Sequence, residues 1–134
     1  LRREGNDKIK FAVGLLKERA EAPMAYDYNK THLLVLKVDY TKNEVSLFVD
    51  PELGQSEPKA DIVVTGEEGA LKAGLKSVAL RNRNGFKGNI GNFRFAKDWC
   101  HRKIKEDSFL ISSVQQNCLY FKFYTGKTKM SHRL

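Results

Sequence analysis

Hydrophobic and polar positions alternate most cleanly over residues 33–51, LLVLKVDYTKNEVSLFVDP. Leu34, Leu36, Val38 and Tyr40 fall on one face of a period-two pattern, with Lys37 and Asp39 opposite them. After the turn residues Thr41-Lys42-Asn43, Val45, Leu47 and Val49 take one face while Glu44, Ser46 and Asp50 take the other. This pattern predicts a β-hairpin. Pro51 has no amide hydrogen to offer a ladder and so closes the second strand.

The same period recurs along the chain. In residues 8–15, Ile9, Phe11, Val13 and Leu15 alternate with Lys8, Lys10, Ala12 and Gly14, which predicts a first strand. Residues 16–24, LKERAEAPM, carry no helical stripe and are stopped by Pro23, so a loop with one turn is expected, leading through Tyr26 and Tyr28 into the hairpin. Between Glu52 and Gly74 runs a Gly- and Pro-containing connection in which residues 61–65, DIVVT, form an edge-strand candidate. Residues 77–81 resume alternation, and residues 82–88, NRNGFKG, are turn-rich because Asn and Gly accept positive φ readily. Residues 89–96 read as a strand in which Ile90 and the Phe93/Phe95 pair are out of phase, which places a bulge near Gly91-Asn92. Residues 100–107 are polar and basic. Two further strand candidates, 108–114 and 118–125, flank Gln115-Gln116-Asn117 as a terminal hairpin.

Five or six strands, two further candidates and no helix of any length predict an all-β chain, an antiparallel β-sandwich. The domain organisation expected is a partial sandwich over residues 1–99 followed by a basic extension over residues 100–134. The chain opens on Leu1, so a fragment or a processed product is expected. A piece with few strands would leave part of one apolar sheet face without cover.

Composition alters this picture in two places. The 41% hydrophobic content is that of a globular chain, and no apolar run reaches the roughly 20 residues that span a bilayer as a helix. The net charge of +8 is unevenly spread: residues 1–96 hold 16 basic and 13 acidic side chains, residues 97–134 hold 8 and 3. Cationic excess raises affinity for any polyanion, but no nucleic-acid motif accompanies it, so a solvated surface with a basic tail is the expectation and nucleic acid is disfavoured as a partner. Cys100 and Cys118 are too few for a disulfide framework, and Cys100-His101 with the distant Cys118 and His132 lacks the paired spacings of a structural zinc site.

Five blocks, in order, resemble the second half of concanavalin A-like, laminin-G-like jelly-roll domains of exported bacterial surface proteins. They are NKTHLLVLKVD (29–39), VSLFVDP (45–51), SEPKAD (56–61), VALR (78–81) and NFRFAKDW (92–99), and the resemblance covers residues 8–99. It implies a jelly roll lacking its first strands before Leu1, an extracellular or cell-surface location, and recognition of carbohydrate or another surface partner. The segment after Trp99 matches nothing in that pattern, which leaves it a linker, a divergent appendage or a product of gene prediction.

Candidate chemistry is thin. Glucanases of this fold carry a Glu-x-Asp-x-x-Glu type of signature that is absent here, and the acid pairs Glu67-Glu68 and Glu106-Asp107 read as solvated loop residues. His32, His101 and His132 have no nucleophile arranged around them in sequence. Asp50, Asp61 and Asp98 stand near strand ends, but they form no series of calcium ligands, so no metal and no cofactor are expected. GFKGNIG, with Gly85, Gly88 and Gly91, has the spacing of an anion-cradling loop without the helix such a loop feeds, and a turn is expected instead. Asn29-Lys30-Thr31 is a glycosylation sequon that serves a turn equally well. Trp99, Tyr26, Tyr28 and Phe86 are the aromatic groups that could stack on a sugar, and core packing accounts for each as readily. A non-catalytic module is therefore expected, with a polyanion-binding domain and a ligand-free spacer as the alternatives.

Overall fold

The computed structural model describes residues 1–5, 7–54, 56–72, 77, 88–96, 99 and 116–125. They form ten β-strands: β1 (Arg2–Glu4), β2 (Lys8–Lys10), β3 (Ala12–Leu15), β4 (Glu18–Glu21), β5 (Tyr26–Asp27), β6 (Thr31–Asp39), β7 (Glu44–Val49), β8 (Ile62–Thr65), β9 (Gly88–Ala96) and β10 (Gln116–Thr125). Among the described residues there is no helix, and every strand pairing is antiparallel. The all-β, antiparallel expectation is met.

The main sheet has the order β8-β7-β6-β10-β9. Its centre is the predicted hairpin. β6 and β7 pair from Leu34↔Val49 to Asp39↔Glu44, and the loop between them is held by Asp39, whose Oδ1 accepts from the amides of Thr41 and Lys42, each at 3.0 Å. Asn43 completes the turn at φ 53°, a conformation Asn tolerates better than most residues. The 61–65 edge-strand expectation is met by β8.

Two small sheets, β1-β2-β5 and β3-β4, complete the described strands, and β3 and β4 pack against β8, with β3 also reaching β7. Here the chain departs from its expected course. Residues 8–15 do not form one strand: β2 pairs with β1 and β5, β3 pairs with β4, and Phe11 stands between them. The alternation itself holds, since Ile9, Phe11 and Leu15 are all buried in one cluster. Changing sheets at Phe11 keeps that face inward while the backbone finds new partners, with the amide of Ala22 donating to the Phe11 carbonyl at 2.8 Å. Residues 16–24, expected as a loop, supply β4 of a tight hairpin turning at Leu16-Lys17, with Leu16 at φ 55° and 80% exposed.

Burial is two-sided. The larger cluster joins Ile9, Phe11 and Leu15 of the small sheets to Leu34, Val38, Val45, Leu47, Ile62 and Val64 of the main sheet. Gly66 lies against it at a point where no side chain fits, since a Cβ there would stand 2.6 Å from Leu15 Cδ2. On the opposite face a second cluster buries Val35, Phe48, Trp99 and Cys118, flanked by Leu33, Leu53, Ala60 and Ala96. The hairpin pattern assigns that face to the polar residues Lys37 and Asp39 of the first strand and Glu44, Ser46 and Asp50 of the second. Lys37 indeed lies there, folded down onto the 51–60 connection, where its ammonium bonds both carboxylate oxygens of Glu57 at 2.8 Å.

The segment set apart as a C-terminal extension contributes β10, an inner strand of the main sheet between β6 and the edge strand β9. A boundary at residue 99 therefore does not separate two sheets. Residues 108–114, the first arm of the expected terminal hairpin, lie outside the described residues, as do residues 78–81 of the fourth sequence block. The bulge expected in β9 is present. The β9–β10 register shifts between Tyr120 and Lys122, where β9 carries one extra residue beside Asn92 at φ 54°.

One rung crosses all five strands through Ile62, Leu47, Leu36, Leu119 and Phe95. Ile62 and Leu47 are buried beneath the small sheets, whereas Phe95 is 57% exposed. Burial along this rung thus falls off from β8 and β7 toward Phe95 of β9.

Candidate functional site

The densest arrangement of polar side chains lies where β5 turns into β6, beside the end of β7. Tyr28 is tied down by its amide, which donates to the Asp7 carbonyl at 2.7 Å, and Asn29 makes the turn at φ 68°. β6 then begins with Thr31 exposed and His32 buried. Opposite them, Asp50 follows the last residue of β7 at φ 51°. Its amide donates to the Leu33 carbonyl at 2.7 Å, and its Oδ1 accepts from the Leu33 amide at 2.8 Å, so the carboxylate takes over one ladder bond from the main chain.

His32 is 4% exposed. Its Nδ1 stands 2.6 Å from Asp50 Oδ2, and its Nε2 stands 2.8 Å from the carbonyl oxygen of Asp27. The edges of Phe11 and Tyr26 box the ring, with centroids 5.6 and 5.9 Å away at steep angles. Tyr26 continues the network, its hydroxyl donating to Asp61 Oδ1 at 3.1 Å while Asp61 Oδ2 accepts from the Val49 amide at 2.8 Å. Burial first, and then the Asp61 carboxylate, raise the pKa of the Tyr26 hydroxyl well above the ordinary phenol value.

On the outer side, the Asp27 carboxylate bonds both the Lys30 and the Lys8 ammonium groups. Hydrogen bonds from Lys30 and then Lys8, reinforced by their charges, hold its pKa down to about 2. The same partnership raises that of Lys30.

Trp99 is buried against Phe48 with ring centroids 4.8 Å apart and presents no free ring face for stacking, whereas Tyr26 and Tyr28 are half-buried and pack on the larger cluster. Phe86 lies outside the described residues. Asp50 and Asp61 come to the same end of the sheet, where each carboxylate oxygen accepts one framework partner: the Leu33 amide and His32 for Asp50, the Val49 amide and Tyr26 for Asp61. Asp98, His101, His132, Cys100 and Glu106-Asp107 lie outside the described residues. Among the described residues no group of three or more His, Cys, Asp or Glu side chains could hold a metal ion. Glu67 and Glu68 are exposed in a turn, and Gly88 and Gly91 lie inside β9, not in an anion-cradling loop. No helix among the described residues is long and apolar enough to cross a membrane.

Pairing of His32 with Asp50 was not foreseen from the sequence. Only the register of the predicted hairpin pointed to it, since pairing Leu34 with Val49 carries the next residues, Leu33 and Asp50, beside one another at the strand ends. Comparison with known proteins adds nothing to the geometry: no family model, no curated protein and no solved structure matches this chain.

Proposed function

We propose that the chain is a non-catalytic β-sandwich module of the jelly-roll, concanavalin A-like type, part of an exported or surface protein, which recognises carbohydrate or another surface partner at the corner built by residues 26–31 and Asp50. The observation that carries this reading is the fixed and outward-facing set of donors and acceptors there. Asp50 is anchored by Leu33 and His32 yet keeps 48% of its side chain exposed, and Lys30, bound to Asp27, keeps 65% of its side chain exposed. A carboxylate has about four lone-pair sites and an ammonium three donors. Both groups thus retain hydrogen-bonding capacity toward sugar hydroxyls while their positions are already ordered, which lowers the entropic cost of binding.

At this corner the electrostatics of the described aspartates suit binding better than hydrolysis. Glycoside cleavage needs one carboxyl group that is still protonated near neutrality and a second at a set distance. Asp27, with its pKa near 2, is ionised throughout that range. Asp50 and Asp61 are fixed as acceptors of framework hydrogen bonds.

A glycan array, followed by titration of the best ligand, tests the proposal. Binding indifferent to salt and lost in Lys30→Ala supports it, and absence of glycan binding overturns carbohydrate as the ligand. The second reading rests on the net charge of +8. Under it, heparin and DNA bind instead, without sequence preference and with affinity that falls steeply between two salt concentrations.

A further inference from the structure

His32 faces two hydrogen-bond acceptors and has only one donor to offer in its neutral form. A main-chain carbonyl accepts and never donates, so Nε2, at 2.8 Å from the Asp27 oxygen, carries a proton. When the Asp50 carboxylate is ionised it also only accepts, and the 2.6 Å contact of Nδ1 with its Oδ2 then calls for a second ring proton. Each bond reaches a different element: one ends on β5, the other on the residue after β7. We infer that His32 is a proton-dependent clip, closed when its ring carries two protons, that fastens the 26–31 turn to the end of the central hairpin. Loss of one proton leaves two acceptors competing for a single N–H. One bond must then be given up, so that Asp50 is tied through its bonds to Leu33 alone or the Asp27 carbonyl loses its ring partner.

The surroundings make this exchange consequential. The ring is enclosed by Phe11 and Tyr26, so water does not simply replace a lost partner. Charged groups facing it come from several directions. Asp50 touches it from the end of β7. From β5, Asp27 contributes its carbonyl while its carboxylate is turned to Lys8 of β2 and to Lys30. Asp61, which precedes β8, is reached only through the Tyr26 hydroxyl. Across β10 the register partner of His32 is Phe123, and beyond it on β9 stands Ile90, both uncharged residue types. The proposed recognition corner is thereby coupled to pH. The inference rests on that reading only for what the turn presents, because the clip itself is read without any ligand.

Nitrogen-15 NMR of the His32 ring, together with the Leu33 amide, decides the matter. With the clip closed, both ring nitrogens are in the protonated state. As pH rises one of them loses its proton, and the Leu33 amide, which reports on Asp50 Oδ1, shifts with the same midpoint. The Asp50→Asn variant sharpens the test, since an amide can accept from Leu33 and donate to Nδ1, and so satisfies a neutral ring. In that variant the Leu33 shift with pH is lost. A wild-type ring with a single protonated nitrogen from pH 5 to 9, or a Leu33 amide that ignores the ring titration, overturns the inference. Because the wild-type measurement suffices, failure of the variant to fold leaves it decidable, and glycan binding plays no part in either outcome.

Discussion

Truncation of Phe48 gives the sharpest test of the two-sided core. Phe48 is 1% exposed and lies on the sheet face opposite the larger cluster, with its ring 4.8 Å from that of Trp99 and tilted by 53°. In a sheet with one wet face, position 48 of β7 would be solvated, and Phe48→Ala would change stability by no more than about 0.5 kcal/mol. In the present fold it deletes a buried ring and opens a cavity beneath the 51–60 connection, which costs about 3–5 kcal/mol by comparison with other buried Phe→Ala changes. The tilted pair with Trp99 accounts for roughly 0.5–1.5 kcal/mol of effect beyond area alone. Against a total stability of about 5–15 kcal/mol this is a large fraction. Urea denaturation followed by tryptophan fluorescence measures it directly, because Trp99 is the one tryptophan in the chain. The expected result is a midpoint far below that of the wild type, with native emission shifted to the red as water reaches Trp99. A midpoint unchanged within error, with unchanged emission, would refute the second cluster.

Further predictions concern the corner and the register. Asp27 has a folded pKa of about 2 against an ordinary 3.8, so its contribution to stability is complete above the ordinary value and is lost as pH falls through the folded one. Carboxyl NMR of Asp27 should give the low midpoint, and Lys30→Ala with Lys8→Ala should return it toward the ordinary value. Asp61→Ala removes the acceptor of the buried Val49 amide and of the Tyr26 hydroxyl, and a loss of about 1–3 kcal/mol for a buried polar group left unsatisfied is expected in urea denaturation. In an alkaline absorbance titration the same variant should lower the ionisation range of Tyr26, though only in part, because burial outweighs Asp61 among the causes. In β8, Val63 is 50% exposed and Val64 5%, so Val63→Asp should be near neutral while Val64→Asp should unfold the chain, as circular dichroism would report.

The parts of the fold legible in the sequence are those in which one physical rule acts alone. The β6–β7 hairpin could be read because alternation, an Asn-containing turn and a terminal proline agree. The β9 bulge could be read because Ile90 and Phe93 break phase across Gly91-Asn92. β4 was missed because ERAE buries little beyond part of Ala20, so no hydrophobic period marks it, and because Leu16-Lys17 lacks turn chemistry. The break at Phe11 was hidden since side-chain alternation continues unbroken while the hydrogen-bonding partners change, and only main-chain pairing distinguishes the two strands. The second cluster is hard to read because Val35 and Phe48 look like interruptions of a polar face until Trp99 and, from the neighbouring strand β10, Cys118 join them, both distant in sequence. The same holds for the corner. His32, Asp50 and Asp61 were each noted, but their convergence depends on register and on a left-handed residue at position 50.

The account stands on β10 lying between β6 and β9, which joins the two halves of the chain into one sheet. Cross-strand backbone nuclear Overhauser contacts measure this most directly. The fold predicts contacts of Leu119 with Leu36 on one side and with Phe95 on the other, and of Phe121 with Leu34. Contacts of residues 118–125 confined to residues 108–114, with none to β6, would contradict it.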